Sequence, residues 1–414
     1  MNRRNLPNVN SEIDRRTVLK SMLGTAVASV LPSTLALAMP TRPWTSIKDS
    51  INPRWYGFNL LEYFSTDPDW MKYFPYKDDG GFKEDDFRWI SGWGFNWVRL
   101  PMDYRFWTDP NDPLKIEERK IEPIDRAIRL GEKYGIHVDI CLHRAPGECI
   151  LDGMDEKKTG IHVTQEKTSV YRNQATLDAF VHQWVYFAKR YKAISSRWLS
   201  FNLVNEPVVR PVGYVWYAKH PQKPAIHGEE KYVHVAREAI AGIRTVDPRR
   251  LIVTDAYGGK IVPELFDTGV LQSCHDYDPV EVTHYGLPWG PPQVQIGKEP
   301  VPTWPLKDAK GHVIADKQTI REQFRSWGKL AQHGIPIHFG EMGCSNHTPP
   351  NVAYAWFNDS LDVINGLHSG WALWNFRGPI GILDTERAGT KYKNWYGHQL
   401  DFTLLNLLRT KMNA

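Results

Sequence analysis

The chain has 414 residues, of which 42% are hydrophobic and 24% charged, with a formal net charge of +4. That length supports a large core in one or two domains, and the small net charge, with no Lys/Arg block beyond the N-terminus, excludes a nucleic-acid footprint. Its 17 Trp, 18 Tyr and 16 Phe suit either a large aromatic core or a cleft for flat apolar faces.

The first segment reads as targeting sequence. Arg15-Arg16 stand before an apolar stretch, residues 21–38, that is rich in small residues and ends in Ala36-Leu37-Ala38, an A-x-A cleavage signal. With Leu19-Lys20 the paired arginines resemble a twin-arginine export signal. The expected division is an export signal over 1–38 and a mature chain from 39 to 414, periplasmic or extracellular, with no further stretch apolar enough to span a membrane. Cys141, Cys149, Cys274 and Cys344 show no C-x-x-C spacing, which argues against a structural zinc site. Export permits disulfides, and buried free thiols are the plainer expectation.

Short apolar runs then alternate with helical patterns. Residues 55–60 (WYGFNL) predict a first strand, and 84–95 a helix with acidic residues in its first turn. A second strand is expected at 96–101. The helix over 121–136 carries Ile121, Ile124, Ile128 and Leu130 near one face. Strands at 137–143 and 198–207 flank a long amphipathic helix over 173–192. A helix over 229–247 leads to a strand at 251–256, and a sixth strand of indistinct limits lies within 270–285. A helix at 319–334, a strand at 336–343, a helix at 351–370, a strand at 371–376 and a closing helix at 401–412 complete the pattern. Eight strands alternating with helices argue for parallel βαβ units closed into an α/β (β/α)8 TIM barrel in a single domain. An open doubly wound sheet is disfavoured, because no glycine-rich fingerprint follows the first strand. Residues 286–306, rich in proline, read as a long loop after the sixth strand.

In such a barrel, chemistry sits at the C-terminal ends of the strands. Arg99 ends strand two, His143 strand three, and Asn205-Glu206-Pro207 strand four. His284-Tyr285 belong to strand six, Glu341 ends strand seven, and Trp374 lies on strand eight. One polar strand end is unremarkable; five with ionisable groups converge on one mouth. Glu206 and Glu341, three βα units apart, suit glycosidic cleavage, where one carboxyl gives a proton and the other stays ionised to attack or to activate water.

The ordered set resembles glycoside hydrolase family 5, the cellulase family of the retaining clan A glycosidases. The resemblance spans essentially the whole mature chain, from GFNL at 57–60 to Trp374, and residues 143–147 (HRAPG) are similar to the exo-β-1,3-glucanase branch. It implies Glu341 as nucleophile, kept ionised by Arg99, and Glu206 as acid/base. It implies Asn205 on the sugar 2-hydroxyl, His143 on other hydroxyls and Trp374 as the floor of the cleaving subsite. The family's strand-six His-x-Tyr has two partial counterparts, His275-Asp276-Tyr277 and His284-Tyr285. The second is preferred because it leads into the long loop, so His284 is expected to orient Glu206 and Tyr285 to steady Glu341. Trp289, Trp107 and Trp304 are candidate outer platforms.

The expected partner is an oligo- or polysaccharide, with no metal or cofactor, and an endo-acting β-glucanase is the favoured activity. Mannan, β-1,3-glucan, short glycosides and transglycosylation stay open. A non-catalytic carbohydrate-binding barrel is disfavoured by the presence of both glutamates.

Overall fold

A computed structural model describes residues 54–66, 81–109, 112–148, 169–209, 228–290, 294–297 and 300–413. The expected export signal, Arg15 and Arg16 included, and Cys149 lie outside the described residues. Eight parallel strands close into a barrel: β1 (Tyr56–Asn59), β2 (Trp97–Asp103), β3 (His137–Arg144), β4 (Leu199–Asn202), β5 (Leu251–Asp255), β6 (Leu271–Asp276), β7 (Ile337–Met342) and β8 (Gly370–Leu373). Each pairs with its sequence neighbours, and β8 closes on β1 with Tyr56 opposite Trp371.

Around the barrel run α1 (Glu84–Gly92), α2 (Glu122–Tyr134), α3 (Gln174–Arg190), α4 (Glu229–Val246), α5 (Lys317–Gln323), α6 (Arg325–Gln332), α7 (Pro350–Gly366) and α8 (Phe402–Met412). α2 shows how sequence sets such an element. Pro123 sits in its first turn beside Glu122 and Asp125, and Ile124, Ala127 and Ile128 are buried along one face. Gly135 ends it in the left-handed region at φ 71°, which glycine adopts without a Cβ clash. The helix expected over 319–334 is two helices that break at Phe324, whose buried ring packs edge-on to Phe339 of β7. Between β5 and β6 the connection is only a 3-10 turn, Pro263–Thr268. No described helix is long and apolar enough to cross a membrane.

The barrel interior changes character along its axis. Trp55, Trp97, Leu251, Val253, Leu271 and Ala372 form an apolar plug at the N-terminal end of the strands. Because side chains alternate faces along a strand, residues two or four positions further point into the same interior near the opposite end. From Trp97 this reaches Arg99, from Val253 Asp255, and from Leu271 His275. The apolar base thus carries a polar layer directly above it. Connections from helix to strand are short, such as 135–136 and 367–369, whereas those from strand to helix are longer in sequence, at 60–83, 145–173, 203–228 and 277–316.

Candidate active site

Arg99 is the hub of the polar layer. It is 1% exposed, and its five N–H donors reach five acceptors. Nε donates to Asn202 Oδ1 at 2.9 Å. Nη1 donates to Asn59 Oδ1 at 3.1 Å and to Glu341 Oε1 at 2.5 Å. Nη2 donates to Asn205 Oδ1 at 2.8 Å and to Cys141 Sγ at 3.1 Å. Full satisfaction is what allows a guanidinium to be buried at all.

Glu341 reaches Arg99 because β7 is irregular. His338 contacts Trp97 in the interior, and Phe339 packs outward on Phe324 and Trp327. Strict alternation would send Glu341 outward with Phe339. The register shifts against both neighbouring strands after Phe339, and this turns the carboxylate inward. Its second oxygen accepts the Tyr277 hydroxyl at 2.9 Å.

Glu206 lies beyond β4, not on it. The strand ends at Asn202, yet Leu203 N–H donates to Val253 O and Asn205 N–H to Leu142 O, so the chain stays tied to both neighbours. Glu206 itself adopts φ 42°, which costs a residue with a Cβ roughly 1–2 kcal/mol. Its N–H donates to Asp255 Oδ2 at 3.0 Å, and its Oε1 lies 2.7 Å from His275 Nδ1. His275 Nδ1 is also 3.6 Å from Glu341 Oε2, so one imidazole stands between the two carboxylates.

The assignment of strand six is corrected here. β6 stops at Asp276, which puts His275 and Tyr277 at the barrel mouth. His284 and Tyr285 lie past a further helical turn, Val280–Thr283. His284 backs the site rather than entering it: its Nδ1 meets Thr283 Oγ1 at 2.9 Å and its ring stands edge-on to Tyr277. Burial pushes it down to about 4, so it is neutral. Tyr285 is buried, and its carbonyl accepts Ser345 Oγ–H. His275 and Tyr277 therefore hold the contacts with Glu206 and Glu341 that were expected of His284 and Tyr285.

The apolar wall is Trp374 with Leu61, Phe64, Leu287 and Ile380, flanked by Trp289 and Tyr277. His143 packs between Phe64 (4.7 Å) and Trp374 (5.4 Å). Three buried polar atoms here lack a hydrogen-bond partner among the described residues: Asn205 Nδ2, His143 Nδ1 and His275 Nε2, the last at ion-pair distance from Asp255. Buried polar groups are normally paired, so Asn205 Nδ2 and His143 Nδ1 are poised for a polar ligand. Trp107 is not a platform, and Trp304 is half-buried against the core. Trp107 is fully buried with Nε1 on Gln183, and Trp304 donates to Asp359 of α7. Cys141, Cys274 and Cys344 are free and buried.

Three titrating groups are coupled. Burial raises the Glu341 carboxyl against the pull of His275 and Arg99. Burial would raise Glu206 too, but the His275 hydrogen bond and charge outweigh it and hold Glu206 below the ordinary value. Burial would lower His275; the carboxylates of Glu341, Asp255 and Glu206 outweigh it and push the imidazole up to about 9. The Glu206–His275 pair thus keeps a proton at neutral pH. Donor atoms of Glu206, His275 and Glu341 gather within 4.8 Å of one another, a spacing that could hold a metal ion. The Arg99 cation, 2.5 Å from Glu341, already supplies positive charge at that spot and opposes a further cation.

Known proteins share this arrangement of barrel and chain. Residues 54–378 match the family described as cellulase (glycosyl hydrolase family 5). A crystal structure described as that of a glycoside hydrolase is similar at 34% identity and a TM-score of 0.72, covering 87% of this chain and 99% of that one. Cellodextrinase A of Ruminococcus flavefaciens is 24% identical over 302 residues, 70% of this chain and 76% of its own. Endoglucanase C of Acetivibrio thermocellus is 22% identical over 317 residues, 71% of this chain and 83% of its own. The chain belongs to glycosyl hydrolase family 5 and is a glycoside hydrolase.

Proposed function

We propose that the protein is a retaining, endo-acting β-glucanase in which Glu341 is the nucleophile and Glu206 the acid/base. The observation that carries this reading is the placement of the two carboxylates. Their oxygens lie within 4.8 Å, on either side of one imidazole. Carboxyl groups about 5–5.5 Å apart suit double displacement, whereas inversion needs about 6.5–9.5 Å to admit water. Arg99 and Tyr277 both donate to Glu341, the arrangement a nucleophile needs to stay ionised and aimed.

In the first step Glu341 attacks the anomeric carbon. The glycosidic C–O bond breaks, and Glu206 gives its proton to the departing oxygen. In the second, water attacks the same carbon, Glu206 takes its proton, and the Glu341 ester bond breaks. His275 shares the Glu206 proton through both steps. Asn205 Nδ2 is free to donate to the sugar 2-hydroxyl, and Trp374 offers its indole face to sugar C–H groups. The relatives' names, a cellodextrinase and an endoglucanase, support a β-glucan. The Arg15-Arg16 segment supports a reading of export, which would bring the enzyme to polymer outside the cell.

A polysaccharide panel tests the substrate. On soluble β-1,4-glucan, viscosity is expected to fall faster than reducing ends accumulate, with little release from mannan or β-1,3-glucan. Release of single sugars from chain ends at constant viscosity would contradict endo action. Preference for β-1,3-glucan would move the substrate.

A further inference from the structure

Asp255 terminates β5, between the strand that leads to Glu206 and the strand that carries His275. It is 2% exposed, and sequence alone gives it no role beyond ending a strand. Its Oδ1 accepts Asn202 Nδ2–H at 2.8 Å. Its Oδ2 accepts the Glu206 backbone N–H at 3.0 Å, lies 3.3 Å from His275 Nε2 and 3.5 Å from Arg99 Nη2. One carboxylate thus touches the backbone of Glu206, the far nitrogen of the imidazole on Glu206, and the arginine on Glu341.

We propose that Asp255 is the positioning residue of the acid/base: it fixes the left-handed backbone at Glu206 and stands at ion-pair distance from His275 Nε2, so that an imidazolium is held in place with its Nδ1–H turned to Glu206. The proposal rests on the reading of Glu206 as the acid/base. The 3.3 Å separation is an ion-pair distance without hydrogen-bond geometry, and the attraction of carboxylate for imidazolium orients the ring. Asp255, His275 and Glu206 form a carboxylate–imidazole–carboxylate series that holds one transferable proton. Titration of Glu206 and His275 belongs to that pair and not to one member.

The surroundings fix the sign of any change. Around His275 stand Glu206 past β4, Asp255 of β5 and Glu341 of β7, with neutral His143 of β3, His338 of β7 and His284 further off. Arg99 of β2 lies behind both Asp255 and Glu341. On the far side of Asp255 are Asp139 and Cys141 of β3, both pushed up by burial. Loss of the Asp255 charge removes one of the anions that hold His275 protonated. The same loss takes a like charge away from Glu341. Both groups then give up protons at lower pH.

The test uses Asp255→Asn, nearly isosteric and still able to accept a hydrogen bond, with two aryl β-glycosides. One has a leaving group that needs a proton, the other a leaving group that does not. Relative to wild type, kcat/KM is expected to fall about tenfold more on the first substrate than on the second, part of the about 10²–10⁴-fold due to a general acid. Both limbs of the pH profile are expected to move to lower pH. An equal loss on both substrates with an unmoved profile would show a merely structural role and overturn the proposal, as would wild-type behaviour. Thermal melts confirm that the variant is folded, and Asp255→Glu, which restores the charge, is expected to return the limbs toward their original positions. Glu206→Ala is the control. If its loss is independent of leaving group, the acid/base reading itself fails. If Glu206→Ala shows the dependence and Asp255→Asn does not, only the role of Asp255 falls.

Discussion

The five N–H groups of Arg99 end on Asn59, Asn202, Asn205, Cys141 and Glu341, and only a planar fork can reach all five. Arg99→Lys keeps the charge but loses most of these bonds. It is expected to lower kcat by about 10²-fold, the scale of one preorganised donor at a reacting centre, with KM changed less; steady-state kinetics reads this directly. Tyr277→Phe removes one hydrogen bond to a charged carboxylate and is expected to reduce kcat roughly 10–10²-fold. Tyr285→Phe, away from Glu341, is expected to leave kcat intact, and the reverse pattern would restore the rejected strand-six assignment. His275 is raised from 6.5 to about 9. The proton it shares with Glu206 is therefore retained through and above the ordinary imidazole range and lost as pH rises through about 9. Turnover of substrates with poor leaving groups is expected to decline there, and a flat profile across that window would contradict the shared proton. Glu206, Glu341, Arg99 and Asn205 were legible from the sequence because each closes or directly follows an apolar run. His275 and Tyr277 were not, because the polar run from Ser273 to Tyr285 hides where β6 stops. Asp255 was not legible, since its partners come from other strands.

At the scale of the element, β7 shows what periodicity misses. Its run IHFGEM reads as a buried strand, but alternation alone would turn Glu341 away from the barrel. The register shift after Phe339 that brings it inward leaves no mark in residue types except Gly340. A Cβ on Gly340 would stand 2.6 Å from Ser273 Oγ of β6, a clash that something must relieve. Gly340→Ala is expected to displace the neighbouring Glu341 and lower kcat at least about tenfold, since misplacement of reacting groups by about 1 Å can cost 10²-fold. Adding Ser273→Ala removes the opposing oxygen and is expected to recover part of the loss; if the double variant is no better than the single, the clash is not the cause. The alternation of strand and helix, in contrast, was legible throughout, because α2, α3 and α4 each carry long one-sided apolar patterns.

Over the whole barrel, a polar layer sits on an apolar plug, so the reacting groups gather at the C-terminal ends of the strands. Export is expected to depend on Arg15 and Arg16: replacing both with Lys should leave folded, active precursor inside the cell, as fractionation would reveal. Normal export of that variant would favour a different route. The division of labour between the two glutamates is tested most directly by azide, an anionic nucleophile that needs no base, acting on variants supplied with an activated β-glycoside. With Glu206→Ala, the glycosyl-enzyme on Glu341 still forms, and azide should displace it to give a β-glycosyl azide. With Glu341→Ala, azide should attack the substrate directly and give an α-glycosyl azide. Proton NMR distinguishes the two anomers. The β product from Glu206→Ala and the α product from Glu341→Ala would establish the two roles, and the reverse pairing would exchange nucleophile and acid/base.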